Sequence, residues 1–158
     1  MKQIKNILVV TILGLFAQLL TSCDDNSKTV KNIMVKKTNP VVYFEIPVYN
    51  IERAMKFYKE VFTFDFNKET IDNNEMALFP FAEKKSGISG ALAKGEIYKP
   101  TKNGVVIYFN TENIDETLKL ATSNGGKMLY PKTDNGIGLV AEFEDTEGNR
   151  IALYQSKK

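Results

Sequence analysis

The stretch Asn50–Phe57 reads NIERAMKF, and it returns 63 residues later as Asn113–Leu120, NIDETLKL. Each copy follows an apolar, β-branched or aromatic stretch typical of a strand, Val41–Val48 before the first and Val105–Phe109 before the second. Both copies begin with Asn, a favoured helix N-cap, and Glu116 stands three residues after Asn113 as in a capping box. The repeat therefore predicts two related strand–helix units.

An apolar stripe with the period of an α-helix follows each of these Asn residues. The stripe of the first copy consists of Ala54, Phe57, Tyr58, Val61 and Phe62. The second copy repeats the spacing at Ile114, Thr117, Leu118 and Ala121, before the glycine pair Gly125–Gly126. We expect both helices to turn their stripes toward a common core, to which Phe79 and Phe143 also contribute.

Three short strand-like runs follow each predicted helix. In the first unit they are Phe64–Phe66, Glu75–Phe79 and Ile88–Leu92, and in the second they are Lys127–Tyr130, Gly138–Phe143 and Arg150–Gln155. Turn-forming residues at Asp145–Asn149 join the last two runs as a hairpin. Each unit is thus predicted as β-α-β-β-β, and the two units, about 40–95 and 103–156, as halves of one pseudosymmetric α+β domain.

This arrangement resembles the vicinal oxygen chelate superfamily, which contains glyoxalase I, extradiol dioxygenases, and fosfomycin- and bleomycin-resistance proteins. The residues that carry the resemblance are Phe44–Val48, Asn50–Ala54, Phe57-Tyr58, Val61-Phe62, and Asp145–Asn149 followed by Ile151 and Leu153. The resemblance covers about residues 40–156. It implies two βαβββ modules that pair into a cupped, incompletely closed barrel with the ligand on its concave face. It also implies a homodimer, because family members commonly dimerise.

The composition restricts the chemistry of this domain. The chain has no His and one Cys, which excludes a His-based nucleophile system, a His-ligated metal, an internal disulfide and a CxxC pair. By the resemblance, metal-using members place a His, Gln or Glu on the first and fourth strands of each module. The matching positions here are Tyr43, Val106, Ala152 and the run Ser89–Ala91. Because these side chains offer too few oxygen or nitrogen ligands, we expect no metal and no cofactor.

The candidate ligand-binding residues share one face of the predicted strands, because side chains two positions apart point the same way. They are Tyr43, Glu45, Ser89, Tyr108, Arg150 and Tyr154. Aromatic walls with a few polar groups suit a small organic ligand, although tyrosines can also simply fill a small barrel. Glu45 is a candidate general base or an anchor for a ligand amine, and the alternative is a strand acid paired with a basic neighbour.

The N-terminal residues 1–22 are predicted to be a signal peptide. Lys2 and Lys5 precede the apolar run Ile7–Leu20, whose length of about 14 residues is short of the roughly 20 that a membrane-spanning helix needs. The following Leu20–Cys23, LTSC, resembles the box of bacterial lipoproteins, so Cys23 is the predicted lipidation site. An ordinary signal peptide or an uncleaved anchor is the alternative. Residues 23–39 are predicted to be the lipidated Cys and a flexible tether, and residues 40–158 the folded domain.

Three functions remain open from the sequence. We predict a membrane-anchored, metal-free protein of the glyoxalase/bleomycin-resistance type that binds a small organic ligand in the bacterial cell envelope. A glyoxalase-like lyase or isomerase with Glu45 as base is the second hypothesis, and a non-catalytic protein-interaction module is the third. A formal net charge of only +2 argues against a nucleic-acid partner.

Overall fold

The computed structural model describes residues 41–81 and 87–157. The predictions for the signal peptide, for Cys23 and for the tether therefore fall outside the described residues. Within the described part of the chain, no helix is both long and apolar enough to cross a membrane.

Each half of the domain has the order β-α-β-β-β. The first module consists of β1 (Tyr43–Pro47), α1 (Ile51–Phe62), β2 (Asn67–Ile71), β3 (Asn74–Leu78) and β4 (Ser89–Lys94). The second module consists of β5 (Ile107–Asn110), α2 (Ile114–Ser123), β6 (Lys127–Asp134), β7 (Leu139–Glu144) and β8 (Arg150–Gln155).

The strands form two four-stranded mixed sheets, in the orders β1-β4-β3-β2 and β5-β8-β7-β6. In each sheet the first strand pairs parallel to the fourth, and the remaining pairs are antiparallel. The sheets do not close into a barrel. The predicted α+β fold of two βαβββ modules is therefore confirmed.

The two helices begin where the Asn caps predict. The Asn50 side chain accepts a hydrogen bond from the Arg53 N–H at 2.9 Å, and Asn113 accepts from the Glu116 N–H at 3.2 Å. Each bond satisfies one of the N–H groups that the first helical turn leaves unpaired. The helix α1 ends at Phe62, and its C-cap residue Thr63 has a φ of 59°, in the left-handed region.

The core forms between the helices and one face of each sheet. The predicted stripe of α1 is buried at Ala54, Phe57, Tyr58 and Val61, and Phe62 is partly buried against it. The same cluster contains Ile46, Ala77 and Leu92 of the first sheet and Ala141, Phe143, Ile151 and Leu153 of the second. We call the opposite face of each sheet the open face, and the side chains of Tyr43 and Tyr108 belong to it.

Most strand ends lie one or two residues from the predicted ones, and three of the differences have a clear physical reason. The segment Phe64–Phe66 is not a strand, since β2 begins at Asn67. Its alternating apolar residues have another cause, because the rings of Phe64 and Phe66 both pack on Phe79, at centroid distances of 5.6 and 5.1 Å. The strand β5 begins at Ile107, because Val105 lies exposed in the preceding loop. The strand β6 extends to Asp134, and its register shifts between Met128 and Tyr130 and again between Tyr130 and Thr133. The second shift spans Pro131, which has no N–H to donate.

The turn between β7 and β8 fastens the second module to the first. The buried Glu147 carboxylate accepts the N–H groups of Tyr49 and Asn50, both at 2.9 Å, and also binds the Arg53 guanidinium. Next to it, Tyr58 donates its hydroxyl to Asp145 at 2.9 Å. Burial raises the pKa of Asp145 above its ordinary value, and the hydrogen bonds that Asp145 accepts from Asn149, Tyr58 and Glu147 oppose this rise. We call this set of contacts the intermodule clasp, and it joins the modules within one chain.

Candidate functional site

A cavity of about 400 Å³ lies where the two modules meet. Twelve residues line it, and five of them are aromatic: Phe44, Phe64, Phe79, Tyr108 and Phe109. Five more are aliphatic, and the remaining two are Ser89 and Asn110. We call it the phenylalanine cavity. Its volume lies in the range of pockets that hold small organic molecules.

The aromatic wall of this cavity is formed by both modules. Phe109 of β5 lies 5.8 Å from Phe79 and 5.9 Å from Phe64 between ring centroids. Phe44 of β1 closes the set, 5.6 Å from Phe79 and 6.3 Å from Phe109, the latter edge to face. These are ordinary aromatic contact distances. The wall therefore forms only when the first and second modules are packed together.

The polar residues of the cavity differ in their exposure and in whether their side chains are already hydrogen-bonded. Ser89 is buried, with 5% exposure, and its hydroxyl donates to the carbonyl oxygen of Phe79 at 3.2 Å, so it supports the wall. Tyr108 is half exposed on the open face of β5. Asn110 ends β5, and its carboxamide makes no hydrogen bond with a described residue.

A second cavity, of about 230 Å³, lies farther along the same junction and includes Glu45 and Arg150 among its lining residues. We call it the junction cavity. Glu45 accepts a hydrogen bond from the Tyr98 hydroxyl at 2.6 Å, and this bond raises the pKa of Tyr98 to about 12. Arg150 binds Glu142 through two parallel bonds, Nε to Oε2 at 2.7 Å and Nη2 to Oε1 at 2.8 Å. Both charged groups of this cavity are thus held by protein partners.

The six predicted site residues are divided between these two cavities and the surface outside them. Ser89 and Tyr108 line the phenylalanine cavity, and Glu45 and Arg150 line the junction cavity. Tyr43 stands opposite Ser89 in the sheet register but lines neither cavity. Burial and the nearby carboxylates raise its pKa.

Tyr154 is the sixth predicted residue, and it also lines neither cavity. Its ring packs on Gly138, where an added Cβ would lie 2.4 Å from Tyr154 Cε2. Since the glycine leaves the space that the ring occupies, Tyr154 is placed by packing within the second module.

Sequence reasoning missed Tyr98, Asn110 and the phenylalanines as site residues. Tyr98 lies in the loop between the modules, where no periodicity marks it. The repeat could have drawn attention to Asn110, because this residue occupies the position of Pro47, 63 residues earlier, and is polar where the first copy has proline. The predicted core residue Phe79 packs in the core and also lines the cavity, and a hydrophobic pattern shows only the first of these roles.

The positions that match metal ligands in the resembled family do not fit a divalent metal. Tyr43 and Ser89 are neighbours across β1 and β4, but the Ser89 hydroxyl already bonds a carbonyl. Val106 and the fully buried Ala152 offer no donor atom. A divalent cation needs several oxygen or nitrogen ligands. Among residues 41–81 and 87–157, no group of three or more acidic or Cys side chains is placed to hold a metal ion.

Comparison with known proteins gives a consistent result. The family model of the Glyoxalase/Bleomycin resistance protein/Dioxygenase superfamily matches residues 41–153. A Glyoxylase-like domain-containing protein of Didymella fabae is 32% identical over 114 residues, which cover 69% of this chain and 88% of that protein.

Several solved structures share the fold. A glyoxylase/bleomycin resistance protein/dioxygenase domain from a Frankia species has a TM-score of 0.60 at 15% identity, covering 76% of this chain and 99% of that one. An antibiotic binding protein from a Streptomyces species has a TM-score of 0.56 at 22% identity, covering 77% and 99%. A glyoxalase I mutant from Zea mays has a TM-score of 0.60 at 20% identity, covering 73% of this chain. The match spans only 46% of the maize chain.

Proposed function

The chain belongs to the Glyoxalase/Bleomycin resistance protein/Dioxygenase superfamily, and from this premise we propose that it binds a small organic molecule without a metal. The ligand occupies the phenylalanine cavity. The observation that carries this proposal is the cavity itself, about 400 Å³ in volume with five aromatic residues in its wall. The Streptomyces relative in fold, an antibiotic binding protein, supports a binding role for this architecture.

Binding is favoured over catalysis by the distribution of titratable groups. Among the described residues that line the phenylalanine cavity, Tyr108 alone carries a titratable side chain. Glu45, the candidate base, lines the junction cavity and already accepts the Tyr98 hydroxyl. General acid–base catalysis needs such a group within hydrogen-bond reach of the substrate. The described lining of the phenylalanine cavity therefore suits the binding of a ligand and supplies no carboxylate to act as a general base.

The proposal also includes the location of the protein. Lipidation of Cys23 would hold the domain at a bacterial membrane, on a tether formed by residues 24–39. A root-mean-square reach on the order of 20 Å follows for a flexible chain of that length. We propose that the domain captures its ligand close to the membrane surface, as a monomer or a homodimer.

Native mass spectrometry of the protein purified from its own cells tests the binding role. We expect a retained small molecule that is lost in Tyr108→Ala, because Tyr108 lines the cavity. The matched control is Tyr130→Ala, since Tyr130 is similarly exposed but lies on β6 outside the cavity. Retention of the ligand by Tyr108→Ala would contradict this site. A protein partner with no small molecule would favour the interaction module instead.

Metal analysis of the same preparation separates binding from the glyoxalase-like alternative. We expect no stoichiometric Zn, Ni, Mn or Fe, because the matching ligand positions supply too few donor atoms. A stoichiometric metal that is lost together with lyase or isomerase activity on chelation would overturn the proposal.

A further inference from the structure

We infer that the phenylalanine cavity selects an uncharged aromatic compound and that the Asn110 carboxamide orients it. This inference rests on the proposed function and names the class of its ligand. It combines three features of the described lining of the cavity: the lack of charged side chains, the aromatic rings and the carboxamide of Asn110.

The first feature is that charged side chains are missing from the described wall. The twelve lining residues include no Asp, Glu, Lys or Arg. A charged ligand would therefore lose its hydration without gaining a counter-charge, which is costly. The charged residues at the module junction, Glu45 and Arg150, line the other cavity and are bound to Tyr98 and Glu142. The described part of the wall thus offers a counter-charge to neither an anion nor a cation.

The second feature is the geometry of the aromatic rings. Phe79 and Phe109 contact each other, and each also contacts Phe44 and Phe64, at centroid distances between 5.6 and 6.3 Å. The ring pairs are tilted or edge to face. Such a wall interacts best with another planar ring, because offset and edge contacts both favour aromatic partners.

Asn110 supplies a polar contact at one end of this wall. It shares the open face of β5 with Tyr108, two positions earlier, and both line the cavity. Ser89 is already engaged with Phe79, whereas the Asn110 carboxamide bonds no described residue. An amide presents both a donor and an acceptor. It can therefore bond a hydroxyl or carbonyl substituent of a neutral ring and fix which end of the ligand enters.

Two dyes with the same rings test the charge selectivity. N-phenyl-1-naphthylamine is neutral, and 8-anilino-1-naphthalenesulfonate adds a sulfonate to the same skeleton. We expect the neutral dye to bind the full chain at least about tenfold more tightly, in a fluorescence titration, because the wall has no counter-charge. Val106→Trp should abolish this binding, since Val106 lines the cavity. Val105→Trp is the control, because Val105 lines the junction cavity.

The role of Asn110 is tested with naphthalene and 2-naphthol, which differ by one hydroxyl. We expect Asn110→Leu to weaken 2-naphthol binding by about three- to tenfold and to leave naphthalene binding unchanged, as for the loss of one hydrogen bond. The matched control is Asn67→Leu, an exposed Asn on β2 outside the cavity.

The outcomes separate this inference from the proposed function. Equal affinity for the two dyes, or equal weakening of naphthalene and 2-naphthol, would overturn the inference while binding in the cavity stands. A charged molecule retained in native mass spectrometry would do the same. If no probe binds and no molecule is retained, both the inference and the proposed function fail.

Discussion

The Glu147 carboxylate of the second module lies 2.6 Å, Oε1 to Nε, from the Arg53 guanidinium of the first. The Glu147 side chain is fully buried, and Arg53 reaches it from the partly exposed first turn of α1. The same carboxylate accepts the N–H groups of Tyr49 and Asn50 at the entrance of that helix. One acidic side chain thus serves four donor groups of the other module.

Replacing this carboxylate should destabilise the domain. Glu147→Gln removes the charge and points an N–H₂ group at existing donors, so we expect the free energy of unfolding to fall by about 2–4 kcal/mol in urea denaturation. The control is Glu52→Gln, whose exposed pair with Lys68 is worth less than about 1 kcal/mol. Equal losses in the two variants would show that the clasp contributes no more than a surface ion pair.

The Tyr98–Glu45 hydrogen bond should be visible in the titration of the phenol. We expect Glu45→Gln to lower the pKa of Tyr98 from about 12 toward its ordinary value of 10.0, because Glu45 is the main cause of the shift. The folded state holds this proton more tightly than the unfolded state, so the stabilisation is complete below about pH 10 and is lost as the pH rises through about 12.

A ¹³C titration of the tyrosine Cζ resonances measures this shift, with Tyr98→Phe to assign the signal. Glu69→Gln is the control, because Glu69 acts on Tyr43 and is not among the groups that shift Tyr98. A Tyr98 pKa that stays near 12 in Glu45→Gln would contradict the hydrogen bond.

Gly90 should not tolerate a side chain. A Cβ at this position would lie 2.1 Å from the Phe44 carbonyl oxygen and 2.8 Å from its ring, between paired strands that cannot separate without loss. We expect Gly90→Ala to lower the free energy of unfolding by about 2–3 kcal/mol and to weaken ligand binding, since Phe44 lines the phenylalanine cavity. Gly104→Ala, whose nearest contact is the Thr101 methyl at 3.3 Å, should change both much less.

Cys23→Ser should release the protein from the membrane. The thiol is the predicted attachment point of the lipid, and Ser cannot form the thioether, so acyl labelling and membrane sedimentation should both disappear. Ser22→Ala keeps a small residue before the Cys and should retain both. Persistent sedimentation of Cys23→Ser, without acyl labelling, would indicate an uncleaved apolar anchor.

The sequence was sufficient to predict the elements whose determinants are local. Asn50 and Asn113 bond the third N–H of their own helices, and the stripe of α1 faces the core as its spacing requires. The strand β8 has the predicted ends, Arg150 and Gln155, and the turn Asp145–Asn149 marks its start in the sequence. The doubled pattern then gives the two-module architecture without any knowledge of contacts.

Features that depend on contacts between modules could not be predicted in the same way. Phe64 and Phe66 have the alternating spacing of strand residues, but this spacing serves the packing of both rings on Phe79. Ser89 and Tyr108 share the predicted face, but only the packing of β5 near β1 decides that they also share a cavity. Tyr98 contacts a residue 53 positions away, which no local pattern encodes.

The ends of the two sheets have a consequence for shortened chains. The strands β1 and β5 each pair with a strand on one side only, and each lines both cavities at the junction. On the unpaired side of β1 the Pro47 carbonyl oxygen accepts a hydrogen bond from the Asn149 carboxamide of the other module. Unpaired strand edges attract other strands and promote aggregation when they face solvent. Each module shields the vulnerable edge of its twin, so a half-length fragment would carry an uncovered edge and be prone to self-association.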